Sequence, residues 1–219
     1  MTPRTLVGVA EVPGGEPLRL FQRGADFMIV LDRNELMSTR MSGSEVALGT
    51  MACARLATRA PRLLIGGYGM GFTLRAVLGE VGADARVTVA ELVSGVVEWA
   101  RGPMAALTDG CLDDARVTLR MGDVADAIRD GGWDAILLDV DNGPDGLTRA
   151  ANDRLYSVAG LAAARAALRP GGVLAVWSAA PDPAFARRLE RAGFAVDEVR
   201  VRARENGKGA AHVIWFATV

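Results

Sequence analysis

Three alternating glycines that follow a short apolar run are the residues best placed to bind a ligand. They are Gly67, Gly69 and Gly71, in the segment LLIGGYGMGFTLRAVL. Without Cβ atoms they let a ligand approach the backbone, and they tolerate the positive φ angles of a tight turn from strand to helix. About twenty residues later, the run RVTVAEL places Glu91 at the end of the next predicted strand, where an acid can bind both hydroxyls of a ribose. The sequence therefore predicts a nucleoside-binding α/β fold.

A second group of candidates is the acidic segment LLDVDNGPDGLTRAANDRLYSVAGL. It contains Asp139, Asp141, Asp145 and Asp153. Open α/β sheets bind ligands outside the carboxyl ends of their strands, so we expect Asp139 to point into the cleft as a base or an orienting group, with Asp141 as a second catalytic candidate. The alternative for Asp139 is a carboxylate that caps a nearby loop. Acidic loop residues are usually just solvated, but several of them facing the cleft would attract a cationic amine.

Strands and helices that alternate from Arg62 onward must position these residues. The alternation predicts parallel strands with right-handed crossovers, and hence a doubly wound, mostly parallel, seven-stranded sheet of Rossmann-like type. After Gly193 the pattern changes, because the strands FAVDEVRVRA and AHVIWFATV are separated only by a turn. This ending predicts an antiparallel hairpin at the C-terminus.

The segment before this α/β region is predicted to form a small antiparallel β unit. Residues 1–42 contain alternating runs separated by turn signals, and residues 43–219 form the main domain, which begins with a helix over 43–60 capped by Ser44. The apolar N-terminal strands are compatible with a homodimer.

Composition argues for a small-molecule partner. The chain has 219 residues, of which 50% are hydrophobic and 23% charged, with a net charge of −1. This charge gives no electrostatic case for binding nucleic acid or an anionic membrane. Two isolated cysteines predict no metal site, and the sequence contains neither a signal-like N-terminus nor an apolar run long enough to span a membrane. We therefore expect a cytoplasmic protein.

The glycine spacing separates two classes of nucleotide-binding protein. In the pattern G-x-G-x-x-G of dinucleotide oxidoreductases the third glycine would fall at Phe72, whereas here the spacing is G-x-G-x-G. Together with Glu91 and the terminal hairpin, this spacing resembles the class I S-adenosylmethionine-dependent methyltransferases over residues 62–219. The resemblance implies S-adenosylmethionine as cofactor, with Asp123 accepting from the adenine amino group and the Val124 N–H donating to a ring nitrogen. Asp123 is also positioned to cap the helix that follows it.

Within that superfamily, the order of features resembles the spermidine synthase group. The shared features are the N-terminal β unit, Leu74-Arg75 after the loop, an Asp-x-x-x-Gly-Pro-like segment, and Leu155-Tyr156 opening a helix. The resemblance implies Asp139 as one catalytic carboxylate, and the substrate-site positions that follow from it are Glu45, Asn142 and Tyr156.

Departures from the group's pattern affect the amine-binding residues. The loop aspartate that holds the amino group of decarboxylated S-adenosylmethionine is replaced by Met70, and the second catalytic carboxylate by Asn142. The His and Tyr that precede the group's helical Glu are also absent, which leaves Glu45 as the only match there. Met70 predicts a preference for the carboxylated cofactor.

Three functions remain open from the sequence. The leading hypothesis is an S-adenosylmethionine-dependent methyltransferase that acts on a small-molecule nucleophile, such as an amine. The alternatives are an aminopropyltransferase that uses decarboxylated S-adenosylmethionine, and a non-catalytic binding module that retains the fold. His212, the single histidine, is either a general base or a structural residue at the start of the last strand.

Overall fold

Four short strands near the N-terminus pair as an antiparallel meander. The computed structural model describes residues 3–140 and 153–219. The first sheet contains β1 (Thr5–Ala10), β2 (Leu18–Arg23), β3 (Asp26–Leu31) and β4 (Asn34–Ser38), paired in that order. The predicted N-terminal β unit is confirmed, and the division at residue 42 stays a prediction.

A second, seven-stranded sheet forms the centre of the main region. Its strands are β5 (Arg62–Gly66), β6 (Arg86–Glu91), β7 (Val117–Met121), β8 (Trp133–Leu138), β9 (Leu168–Ser178), β10 (Ala195–Arg202) and β11 (Ala211–Thr218). The order across the sheet is β10-β11-β9-β8-β5-β6-β7. Strands β5 to β9 pair in parallel, while β11 pairs antiparallel with both β9 and β10. The predicted doubly wound sheet with a terminal hairpin is confirmed.

Helices cover the seven-stranded sheet on both faces. They are α1 (Gly43–Ala54), α2 (Phe72–Glu80), α3 (Ser94–Arg101), α4 (Ala105–Thr108), α5 (Val124–Ile128), α6 (Asp153–Tyr156), α7 (Val158–Ala167) and α8 (Pro183–Arg191), with a 3₁₀ turn at Cys111–Asp113. No helix in the described ranges is long and apolar enough to cross a membrane.

Alternate residues of each central strand enter different cores. In β5, Leu63 and Ile65 pack with α1 and α2, whereas Leu64 packs on the opposite face with α5 and α7. Successive side chains of a strand point to opposite faces, so a strand covered on both sides is apolar throughout. This explains why the continuous run LLI encodes a central strand.

Two helical segments differ from the prediction. Helix α1 ends at Ala54 instead of continuing to residue 60, and its N-cap is Ser42, so the assignment of Ser44 as the cap was wrong. The predicted helix from Arg154 is divided at Ser157, whose hydroxyl accepts the Gly160 N–H at 3.1 Å and starts α7 as an N-cap. Serine competes for backbone hydrogen bonds in this way, and so it can end one helix and begin the next.

Candidate functional site

The turn from β5 to α2 has the backbone that the glycine pattern predicts. Gly67, Gly69 and Gly71 have φ angles of +83°, +55° and +77°, a region that side chains with Cβ atoms rarely adopt. A Cβ on Gly67 would also lie 2.3 Å from the carbonyl oxygen of Asp139. Gly67 therefore brings the loop against the end of β8, and places the glycines beside the predicted catalytic carboxylate.

Glu91, at the end of β6, is buried against the same loop. Its Oε2 accepts the Tyr68 N–H at 2.8 Å, and its Oε1 accepts the Val93 N–H at 2.8 Å. Burial raises the pKa of Glu91, while these backbone donors act in the opposite direction. The backbone N–H groups of Leu92 and Gly69 also lower its pKa, so donors of the loop surround the carboxylate. The ribose role of Glu91 stays a prediction.

The Asp123–Val124 step follows β7 on the other side of Glu91. Asp123 Oδ1 accepts the Ala125 N–H at 2.8 Å and caps α5, while Oδ2 forms an ion pair with the exposed Arg154. The capping role proposed for Asp123 is therefore present. Both residues of the step also line the cleft, where the adenine contacts implied by the resemblance stay a prediction.

Asp139 and Glu45 come together where β8 ends beside α1. The Thr73 hydroxyl, from the first turn of α2, donates to Asp139 Oδ2 at 2.8 Å and lies 3.3 Å from the carbonyl oxygen of Glu45. Both carboxylates line the cleft. The sequence identified the two acids but missed Thr73, because nothing in its local pattern marks a contact with a strand 66 residues away.

The environment of these two carboxylates favours their protonated forms. Burial, followed by the charge of Asp139, raises the pKa of Glu45 to about 7. Burial also raises the pKa of Asp139 to about 6, against the hydrogen bond from Thr73. Two neighbouring carboxylates in a poorly solvated site resist joint ionisation, so a cation between them would be bound strongly.

A polar chain leads from Glu45 to the last strand. The buried Ser44 hydroxyl donates to Glu45 Oε2 at 2.6 Å, and His212 Nδ1 lies 2.9 Å from Ser44 Oγ. The His212 ring meets Trp177 edge-on, with centroids 4.8 Å apart. The Ser44–His212 contact joins positions 168 residues apart, which local sequence patterns do not reveal.

The remaining predicted site residues do not all join this cluster. Tyr156 is only 2% exposed and packs edge-on against Phe185 in the core on the opposite face, and the described lining of the cleft does not include it. Asp141, Asn142 and Asp145 lie outside the described residues. Their catalytic and substrate roles stay predictions.

The cleft itself lies between the four-stranded sheet and the carboxyl ends of the parallel strands. Apolar residues dominate the lining, and Leu18, Ile29 and Met37 of the N-terminal unit form part of it. Its ionisable residues are Glu16, Glu45, Glu91, Asp123 and Asp139. Among the described residues that line the cleft there is no Lys, Arg or His, so the cleft favours cationic ligands over anionic ones.

Comparison with solved structures identifies the architecture. A spermidine synthase in complex with the transition state analogue AdoDATO superposes with a TM-score of 0.78 at 18% identity, over 97% of this chain and 73% of that one. The chain has the spermidine synthase fold. Spermidine synthase from Thermotoga maritima gives a TM-score of 0.76 at 18% identity, over 97% and 72% of the two chains. The resemblance to the spermidine synthase-like group is thus confirmed for the fold.

Sequence comparison finds similarity to polyamine aminopropyltransferases. The chain is 30% identical over 191 residues to the polyamine aminopropyltransferases of Mycobacterium tuberculosis (strain H37Rv) and Mycobacterium bovis. The match covers 82% of this chain and 35% of each relative, so the chain spans about a third of the length of these relatives. No family model matches the chain.

Proposed function

We propose that this protein transfers the aminopropyl group of decarboxylated S-adenosylmethionine to an amine. The observation that carries the proposal is the charge of the cleft, whose described lining contains five carboxylates and no basic side chain. The names of the sequence relatives support this alternative more than methyl transfer. The cofactor, the substrate class and the transferase activity are parts of the same proposal.

The electrostatic argument concerns the tail of the cofactor. S-adenosylmethionine carries a carboxylate there, which needs a cationic or N–H-rich partner, whereas the decarboxylated compound carries only an ammonium group. Glu45 and Asp139 line the same cleft as Gly67 and Gly69, and their ionised forms repel a carboxylate. Decarboxylation removes this repulsion, so the cleft discriminates in favour of the decarboxylated form.

Met70 does not overturn this argument. Its side chain is 2% exposed and belongs to the hydrophobic core, so it contributes nothing to the cleft. Asp139 and Glu45 line the same cleft as Gly67 and Gly69 and supply negative charge there. We therefore expect the reverse of the preference that Met70 alone predicts.

The chemical step needs a neutral amine nitrogen aligned with a carbon–sulfur bond. The nitrogen forms a bond to the propyl carbon, the carbon–sulfur bond breaks with its electron pair moving to sulfur, and the new ammonium group gives up a proton. In our proposal Asp139 orients the amine and accepts this proton, while the apolar walls of the cleft limit water. The products are an aminopropylated amine and methylthioadenosine.

Competing titrations test the choice of cofactor. We expect decarboxylated S-adenosylmethionine to bind at least about tenfold more tightly than S-adenosylmethionine, a difference of about 1.4 kcal/mol, in isothermal titration calorimetry at moderate salt. Incubation with a panel of mono- and diamines should release methylthioadenosine. S-adenosylhomocysteine as the product would instead support methyl transfer, and neither product would support a binding module.

The carboxylate pair predicts an acidic limb in the pH profile. Protonation of Glu45 or Asp139 removes the charge that holds the amine and the group that accepts its proton. Because burial raises the pKa of Glu45 to about 7 and that of Asp139 to about 6, we expect kcat/KM to fall about tenfold per pH unit below about pH 7, and more steeply below about pH 6. The measurement is initial-rate methylthioadenosine release from pH 5 to 9. A profile that is flat down to pH 5 would contradict the proposed role of the pair.

A further inference from the structure

The chain of polar groups behind Glu45 leads away from the cleft and has no part in the step described above. It runs from Glu45 Oε2 through Ser44 Oγ, at 2.6 Å, to His212 Nδ1, at 2.9 Å. Ser44 is fully buried, whereas His212 is half-buried on β11. A buried hydroxyl held between a carboxylate and an imidazole has no water to replace either partner, so its orientation depends on both.

We propose that His212 is a positioning residue for Glu45. His212 acts through Ser44 and keeps the Glu45 carboxylate ionised and oriented toward the amine. The inference rests on the proposed function for its catalytic consequence. The hydrogen-bond chain itself stands on the geometry alone.

The direction of the chain follows from counting donors. A serine hydroxyl has one hydrogen, and an ionised carboxylate can only accept. When Glu45 is ionised, the Ser44 hydrogen points to Oε2, and His212 must then carry its proton on Nδ1 in order to donate to Ser44 Oγ. When Glu45 is protonated, the chain can reverse and His212 can accept at Nδ1. The tautomer of His212 is therefore linked to the charge of Glu45.

The ionisable groups near Glu45 do not stabilise its negative charge. Among the described residues, Asp139, His212 and Glu205 bring ionisable side chains to this end of α1, and Glu205 accepts from Ser42 Oγ at 2.9 Å. Arg204 meets Gly43 there through its backbone. Asp139 and Glu205 are acids, and a negative charge nearby disfavours a second one. Burial lowers the pKa of His212, so it acts as a neutral donor and not as a counter-ion. Stabilisation of the Glu45 charge thus depends on donated hydrogen bonds.

Three substitutions separate this role from simple packing. Ser44→Ala breaks the chain, and His212→Phe removes the donor but keeps a ring beside Trp177. His212→Asn is the matched control, because its amide N–H can occupy the position of Nδ1–H without titrating. We expect the acidic limb of kcat/KM to move up by about one pH unit in the first two variants, which lowers kcat/KM about tenfold at pH 6 and little at pH 9. The His212→Asn limb should stay near that of the wild type.

An equal shift in His212→Asn and His212→Phe, or an unmoved limb in Ser44→Ala, would overturn the proposal. A second measurement, of the His212 tautomer, needs neither turnover nor variants. The protein has one histidine, so its ring nitrogens give a single ¹⁵N NMR pattern. We expect the Nδ1–H tautomer at pH 8. The Nε2–H tautomer at pH 8 would overturn the hydrogen-bond chain whether or not the protein transfers aminopropyl groups. If the protein has the Nδ1–H tautomer but releases no methylthioadenosine, only the proposed function is refuted.

Discussion

Replacing Asp139 with asparagine should lower kcat for methylthioadenosine release by about 10²- to 10⁴-fold. Asparagine keeps the shape of the side chain, and its amide oxygen can still accept from Thr73, which donates at 2.8 Å in the wild type. It cannot accept the proton of the attacking amine or hold a positive charge. The main loss should therefore appear in kcat, and the preference for decarboxylated over carboxylated S-adenosylmethionine measured by calorimetry should become smaller.

Asp134→Asn provides a matched control on the same strand. Asp134 lies at the opposite end of β8, where it accepts the Arg62 N–H at 2.7 Å and pairs with Arg169. This change should reduce the melting temperature by a few degrees and leave kcat near the wild-type value. If Asp139→Asn retains kcat within threefold, Asp139 only caps the neighbouring loop and the proposed chemistry is wrong.

Glu91→Ala should weaken cofactor binding by about 100-fold or more. The substitution removes the acceptor predicted for the ribose, and it leaves the buried N–H groups of Tyr68 and Val93 without their partner, at a cost of about 1–3 kcal/mol for each. Because Tyr68 belongs to the glycine loop, the loop loses its support as well. Isothermal titration with decarboxylated S-adenosylmethionine measures the effect.

Glu98→Ala is the control for charge and fold. Glu98 is exposed on α3 and is not among the described residues that line the cleft, so its loss should change neither the Kd nor the melting temperature appreciably. Binding by folded Glu91→Ala within threefold of the wild type would show that this carboxylate does not hold the nucleoside.

Local patterns were sufficient to predict the architecture. The run LLI followed by glycines predicted both a central strand and its turn, because burial on two faces and positive φ angles restrict the residue types strongly. The structure adds that only a hydrogen fits at Gly67. The helix boundaries were less certain, since serine side chains compete with the helix backbone. Ser157 divides α6 from α7 in this way, whereas Ser42 stands at the N-cap of α1 with its hydroxyl donating to Glu205 and not bonded to the helix backbone.

The sequence by itself determined the order of strands and helices, the bare glycine turn, and the acids at strand ends, since each depends on residues within one or two turns or on one strand. Only the tertiary structure decided which of these acids share a cleft and that Tyr156 faces the other core. It also decided that Thr73 and Ser44 contact the acidic pair, with His212 behind Ser44. The order β11-β9-β8-β5 brings these groups together from distant parts of the chain. Such contacts arise from packing between elements, which no local spacing encodes.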